Sequence, residues 1–210
     1  MIGWVAAATT GVGTILTLRL ESSPSAAART AKMVAASGFV VVALVSGALD
    51  SGFGTAVLIG LALSWLGDLF LTYQGTRPFL AGLAAFLLGH IAFVIAFAIR
   101  GFDARAAALA GLGAAVLLLR IVPWLMPHVS GQLRVPVLAY TVVISAMIIT
   151  ALATNGAEPD WRIPMGAGAF YLSDIAVARD RFVSPGRINR VWGLPLYFAA
   201  QLLLAWAAGG

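Results

Sequence analysis

The chain is built almost entirely of apolar runs about as long as a bilayer is thick, and that pattern leaves it few folds to adopt. The runs extend from Ile2 to Leu18, Lys32 to Leu49, Gly54 to Thr72, Pro78 to Ile99, Ala104 to Leu119, Val135 to Ala153, Ile163 to Ala178 and Val191 to Ala208. Each holds about 16 to 22 residues, and a helix rising about 1.5 Å per residue needs roughly that many to cross the hydrocarbon core. Within lipid every backbone N–H and C=O must be bonded internally. The expected fold is therefore all-α, a polytopic membrane bundle of eight transmembrane helices. Of the 210 residues 61% are hydrophobic and 10% charged, where a soluble domain carries about 25% charge. No stretch remains for a soluble domain, so residues 1–210 read as a single transmembrane domain. The longest connections, around Ser22–Thr30, Ile121–Arg134 and Arg179–Arg190, are polar or carry Pro and Gly. Met1–Ala8 has no basic leader and reads as the start of a retained helix.

Charge orients the bundle. Odd-numbered loops hold Arg19, Arg29, Lys32, Arg77, Arg120, Arg134, Arg179, Arg181, Arg187 and Arg190, whereas even-numbered loops hold only Arg100, Arg105 and Arg162. The positive-inside bias predicts cytoplasmic odd loops and both termini outside the cytoplasm. With 13 basic residues against 8 acidic ones, the excess speaks of orientation and anionic lipid headgroups, not of nucleic acid. Arginine outnumbers lysine twelve to one, and an integral protein of a bacterial inner membrane is the expectation. The absence of cysteine removes disulfides, thiolate nucleophiles and thiolate metal sites.

Two carboxylates, Asp68 and Asp174, lie inside the apolar runs. An ionisable side chain there costs roughly 2.5 to 3.5 kcal/mol on insertion scales, so it marks a functional site by default. In the expected topology each lies about one turn from the cytoplasmic end of its helix, at a shared depth. Trp65-Leu66-Gly67-Asp68-Leu69 resembles Tyr171-Leu172-Ser173-Asp174-Ile175, 106 residues later. Four spans separate the two, which points to a parallel four-helix repeat about an axis along the membrane normal.

Residues three or four apart share a helix face. Ser64, Asp68 and Thr72 form a polar stripe on helix 3, and Gly82, Phe86, Gly89 and His90 a face of helix 4. Helix 7 sets Ala167 and Tyr171 beside Asp174, and helix 8 aligns Gly193, Tyr197 and Gln201. Helix 5 offers no side-chain polarity and is expected to face lipid. Polar faces must turn inward, so helices 3, 4, 7 and 8 are expected to enclose a polar pocket open toward the cytoplasm. From the residues alone three uses of the carboxylates stay open: catalysis, proton coupling in a small transporter or lipid-binding protein, and hydrogen bonding that holds the bundle together. A metal hydrolase using His90, Asp68 and Asp174 would need three ligands from a chain poor in histidine and free of cysteine. No metal is expected.

Several segments resemble the YhhN family of membrane proteins. They are Gly67-Asp68, the run Phe79-Leu80-Ala81-Gly82-Leu83-Ala84-Ala85-Phe86-Leu87-Leu88-Gly89-His90, the run Gly168-Ala169-Phe170-Tyr171-Leu172-Ser173-Asp174 followed by Arg181-Phe182, and Tyr197-Phe198-Ala199-Ala200-Gln201-Leu202-Leu203. The resemblance spans helix 3 to the C-terminus; helices 1 and 2 match only in hydropathy. It implies a lysoplasmalogenase-like enzyme that hydrolyses the vinyl ether bond of a lysophospholipid substrate, giving a fatty aldehyde and a glycerophospho-alcohol, with no cofactor.

Such hydrolysis is limited by proton transfer to carbon and needs an acid, a counter-charge for the oxocarbenium ion and a base for water. Two carboxyls sharing a low-dielectric pocket titrate as a pair and can divide these tasks. Asp68 and Asp174 are the catalytic candidates, with acid and base unassigned. His90, Tyr197, Gln201, Tyr171 and Ser173 are candidates for holding substrate or positioning the acids, and each would serve equally as interhelical hydrogen bonding. Arg77, with Arg179, Arg181 and Arg190, is placed at the cytoplasmic mouth, where arginine can hold a lipid phosphate or simply set topology. The other expected partners are membrane lipids, and nothing in the residues sets an oligomeric state.

Overall fold

A computed structural model describes residues 1–20 and 25–210, and the chain is helical with no strand among the described residues. Eight helices follow in order: α1 (Ile2–Leu20), α2 (Ala26–Val45), α3 (Gly52–Leu71), α4 (Thr76–Arg100), α5 (Ala104–Leu125), α6 (Gly131–Ala157), α7 (Arg162–Ala178) and α8 (Arg187–Ala207). A 3-10 turn (Met126–His128) follows α5, and a π-helical turn (Arg179–Val183) follows α7. The expected all-α membrane bundle is the fold. Five helices are long and apolar enough to cross a membrane: α2, α3, α4, α5 with its 3-10 turn, and α6. The other three are diluted or short. Four threonines and Arg19 punctuate α1, α7 has 17 residues, and α8 carries Arg187, Asn189, Arg190, Tyr197 and Gln201.

Helix ends depart from the apolar limits. Ser25 accepts from the Ala28 amide, Ser51 from Gly54 and Asp103 from Ala106, each satisfying a first-turn N–H that has no helical partner. These caps start α2 at Ala26, so Lys32, counted above as a loop charge, lies inside a helix. The connection expected around 121–134 is largely helical, since α5 runs through Pro123 to Leu125 and α6 begins at Gly131. The one expected around 179–190 is the π-helical turn plus the start of α8 at Arg187. Of the connection expected at 22–30, residues 22–24 lie outside the described residues, and Ala26 onward belongs to α2. Hydropathy marks where a chain leaves hydrocarbon; the hydrogen-bond ladder continues until a cap or a turn ends it.

Consecutive helices pair as α1/α2, α3/α4, α5/α6 and α7/α8, and across the bundle α2 packs on α8 and α4 on α6. Shifting by half the chain turns α2 into α6 and α8 into α4, so the two cross-bundle contacts are images of each other, as a parallel four-helix repeat requires. Only Ala114 and Leu125 of α5 are buried, in keeping with a lipid-facing helix. Phe39, Phe93, Phe97 and Phe170 form the fully enclosed centre. A Cβ at Gly67 would stand 2.6 Å from the Phe86 ring; its absence lets α3 and α4 close at the turn that carries Asp68.

Where α4, α6 and α8 end and α7 begins, Asp160 forms a staple. Arg162 meets its two carboxylate oxygens at 2.8 Å each and reaches the Trp206 carbonyl, also at 2.8 Å. Arg100 Nη1 approaches Asp160 Oδ2 at 3.4 Å. Burial alone would raise the Asp160 carboxyl, but the hydrogen bonds and charge of Arg162, with Arg100, hold it below the usual carboxylate range. A group so depressed stabilises the fold above the pH at which the unfolded carboxyl titrates, about 4. That contribution is lost as pH falls through the lower folded value. Asp160→Asn is expected to lower the thermal midpoint at neutral pH, with the gap to the parent closing below about pH 4; intrinsic-fluorescence melts across pH measure it.

Candidate active site

The polar stripe expected on α3 places its central residue, Asp68, at the middle of the bundle with almost no exposure. Such a charge persists only if paired and hydrogen-bonded. Lys32 Nζ on α2 lies 3.0 Å from its Oδ1, and the Tyr197 hydroxyl on α8 donates to its Oδ2 at 2.6 Å. Gln201, one turn along α8, donates to that hydroxyl at 2.9 Å. Asp68, on α3, is thus held from two further helices, α2 and α8.

Asp174 on α7 has a parallel arrangement. The Tyr140 hydroxyl on α6 donates to its Oδ2 at 2.7 Å, and His90 Nε2 on α4 lies 3.5 Å from the same oxygen. His90 Nδ1 is 2.6 Å from the Phe86 carbonyl. A carbonyl only accepts, so Nδ1 carries the hydrogen and, in a neutral ring, Nε2 turns a lone pair toward the carboxyl. Phe170 packs against this ring, with centroids 4.5 Å apart, and against Tyr197 at 5.4 Å. Tyr197 also lies within electrostatic reach of both acids.

Asp68 and Asp174 line one cavity of about 800 Å³, large enough for much of a lipid. Its wall draws on α2 through α8, more helices than the four expected. The added surface is apolar, from Ile121, Trp124 and Leu125 of α5 and Val137 and Ile144 of α6.

The YhhN family profile matches residues 25–208. The chain belongs to the YhhN family. Among curated relatives, lysoplasmalogenase TMEM86A of Bos taurus is 31% identical over 160 residues, covering 73% of this chain and 65% of that protein. Its Homo sapiens counterpart is 32% identical over 164 residues, with 73% and 65% covered. A lysoplasmalogenase of Mycobacterium tuberculosis is 28% identical over 218 residues, covering 96% of this chain and 82% of that protein. The chain thus spans 65% of the length of the two mammalian relatives. No solved structure matches it.

In this YhhN protein the residues singled out from sequence fall into groups. Asp68, Asp174, Tyr171, Ser173 and Tyr197 stand on the cavity wall. Tyr171 meets Ser145 at 3.3 Å, and the Ser173 hydroxyl donates to the Phe170 carbonyl at 2.8 Å. His90 and Gln201 lie behind the wall and reach the cavity through Asp174 and Tyr197. Arg77 is exposed and off the wall. Of the other mouth arginines, Arg181 and Arg190 line the cavity. Arg181 stacks over Phe79 at 4.4 Å, while Arg190 pairs with Asp180 at 3.3 Å. Arg179 donates to Asn189, and Asn189 Nδ2 and the Gly186 amide both donate to Asp180 Oδ1, which fixes the turn between α7 and α8. Among the described residues no three His, Cys, Asp or Glu side chains gather as a metal-ligand set.

Two residues of the YhhN site escaped the sequence reading: Lys32 and Tyr140. The internal repeat carried a signal for both. Tyr197 follows His90 by 107 residues and Tyr140 follows Lys32 by 108, close to the 106 separating the aspartates. Each carboxyl is therefore held by one residue from the α2/α6 pair of its own half and one from the α4/α8 pair of the other half.

Proposed function

We propose that this YhhN protein hydrolyses the vinyl ether bond of lysoplasmalogens to a fatty aldehyde and a glycerophospho-alcohol, with Asp68 and Asp174 as the acid–base pair. One observation carries the reading: two carboxyls from distant parts of the chain open on one cavity of about 800 Å³. The relatives named lysoplasmalogenase supply the reaction class. The C=C electrons of the alkenyl ether take a proton from a carboxyl at the carbon remote from oxygen, leaving an oxocarbenium ion. Water adds to the cationic carbon and gives its proton to a carboxylate. The hemiacetal then breaks its bond to the glycerol oxygen, which receives that proton, while the hemiacetal hydroxyl gives its own proton back to the carboxylate as the aldehyde forms. Positioned acid–base groups are worth about a hundred- to ten-thousand-fold in such steps.

In this reading the aliphatic chain lies along the apolar α5–α6 side of the cavity and the phosphate near Arg181, at an end that the positive-inside pattern assigns to the cytoplasm. The test is aldehyde release from a 1-alkenyl lysophospholipid by the purified protein in liposomes. Solute transfer across the bilayer with no aldehyde formed overturns the proposal. Replacing the rim charge, Arg181→Gln, is expected to raise KM roughly tenfold with kcat little changed, since a phosphate contact acts equally on substrate and transition state. Steady-state kinetics on the same substrate measure it.

A further inference from the structure

The two carboxyls occupy matching positions in the repeat, yet their surroundings differ in three ways. Asp68 faces a cation, because Lys32, the chain's single lysine, stands 3.0 Å from it. Asp174 faces a phenol and an imidazole in the corresponding places. Access differs as well: the Asp174 side chain keeps 17% of its exposure and that of Asp68 only 2%. Finally, His90 Nε2 is a fully buried nitrogen that makes no hydrogen bond; it faces Asp174 Oδ2 at 3.5 Å while Nδ1–H is held by the Phe86 carbonyl.

The third difference decides where a proton sits. An ionised Asp174 and a neutral His90 would set a carboxylate oxygen against a lone pair, two acceptors facing each other. One proton between them removes the conflict and satisfies the orphan nitrogen, a buried acceptor that is costly to leave unpaired. In a low-dielectric interior a neutral carboxyl–imidazole pair avoids the desolvation of two ions, so the proton belongs on Asp174. Asp68 is the opposite case. Its oxygens are engaged by the Lys32 ammonium and the Tyr197 hydroxyl, the surroundings of a standing anion.

We propose that Asp174 is the proton donor of the vinyl ether hydrolysis and Asp68 the permanently ionised partner, with Lys32 and His90 as the positioning residues that divide the roles. The assignment rests on the function proposed above. In the first step the Asp174 O–H bond breaks and a C–H bond forms, leaving Asp174 ionised. Asp174 then takes the proton that water loses, passes it to the departing glycerol oxygen, and receives the hemiacetal hydroxyl proton as the aldehyde forms, so it ends the cycle protonated. Asp68 holds its charge throughout, beside the oxocarbenium ion.

The test has one arm without substrate. Infrared spectra of the full protein at neutral pH are expected to contain the C=O stretch of a protonated carboxyl. Asp174→Asn should remove that band and Asp68→Asn should keep it. Lys32→Met should add a second such band, and Lys32→Arg should not. The substrate arm uses chemical rescue. Formate is expected to restore aldehyde release by Asp174→Ala at least tenfold and to leave Asp68→Ala inactive, and Lys32→Arg should recover the kcat lost in Lys32→Met. A band that survives Asp174→Asn, disappears in Asp68→Asn or never occurs overturns the assignment, as does rescue of Asp68→Ala alone. Wild-type protein with the expected bands but no aldehyde release overturns the proposed reaction and leaves the proton assignment standing.

Discussion

Asp68→Asn and Asp174→Asn are each expected to lower aldehyde release from a 1-alkenyl lysophospholipid by about a hundred- to ten-thousand-fold, the range for removing a positioned acid or base. Asparagine keeps the shape of the side chain and can still bond Tyr197 or Tyr140, so the bundle should remain folded. The two losses should not multiply. Either change alone disables a pair that acts as a unit, and the double variant is expected to lie close to the slower single one. Initial rates on protein that elutes as a monodisperse peak and melts cooperatively check this, and full activity in both single variants would remove the basis for the proposed mechanism.

Gly193→Val is expected to have the largest effect outside the carboxyls. A Cβ at position 193 would lie 2.5 Å from the Ala176 Cβ on α7, and neither atom belongs to a flexible chain end that can turn away. Helices in lipid associate through close van der Waals packing at small residues. A side chain forced into such a contact costs about 1–3 kcal/mol. Gly193 is one turn from both Asn189 and Tyr197 on the same face of α8. Separating α7 from α8 there should also pull Tyr197 from Asp68, so that thermal midpoint and activity fall together. The control is Gly113→Ala on α5, where an added Cβ meets no described atom within 4 Å. It should leave activity unchanged and, by removing a glycine from an exposed helix, cost nothing in stability. Thermal melts in detergent, set beside rates, separate the two variants.

The site divides into parts that could be read locally and parts that could not. The aspartates were legible because a charge in an apolar run violates the solvent it sits in. His90, Tyr197 and Gln201 were legible because three- and four-residue spacing puts them on faces that lipid cannot satisfy. Lys32 was misread for a physical reason. A lysine at the edge of an apolar run looks like a topology charge, and only the Ser25 cap, which carries α2 six residues further back, sets it beside Asp68. Arg77 was misplaced by the same logic, since the mouth arginines look alike in sequence and only Arg181 and Arg190 stand on the cavity wall. Tyr140 sits in a helix whose hydropathy says only that it spans. Its value comes from Asp174, 34 residues away.

By itself, the sequence determined that this chain forms eight helices in a membrane, which of their faces turn inward, and that two carboxyls lie among those faces. Solvent and backbone hydrogen bonding dictate these things residue by residue. The tertiary structure alone decided which partner each carboxyl meets. Helical periodicity defines a face, but the neighbour opposite it depends on how closely helices approach, and here that is set by Gly67 against Phe86 and Gly193 against Ala176. Lys32 of α2 meets one aspartate and His90 of α4 the other, and two sites that are alike in sequence become unlike in charge.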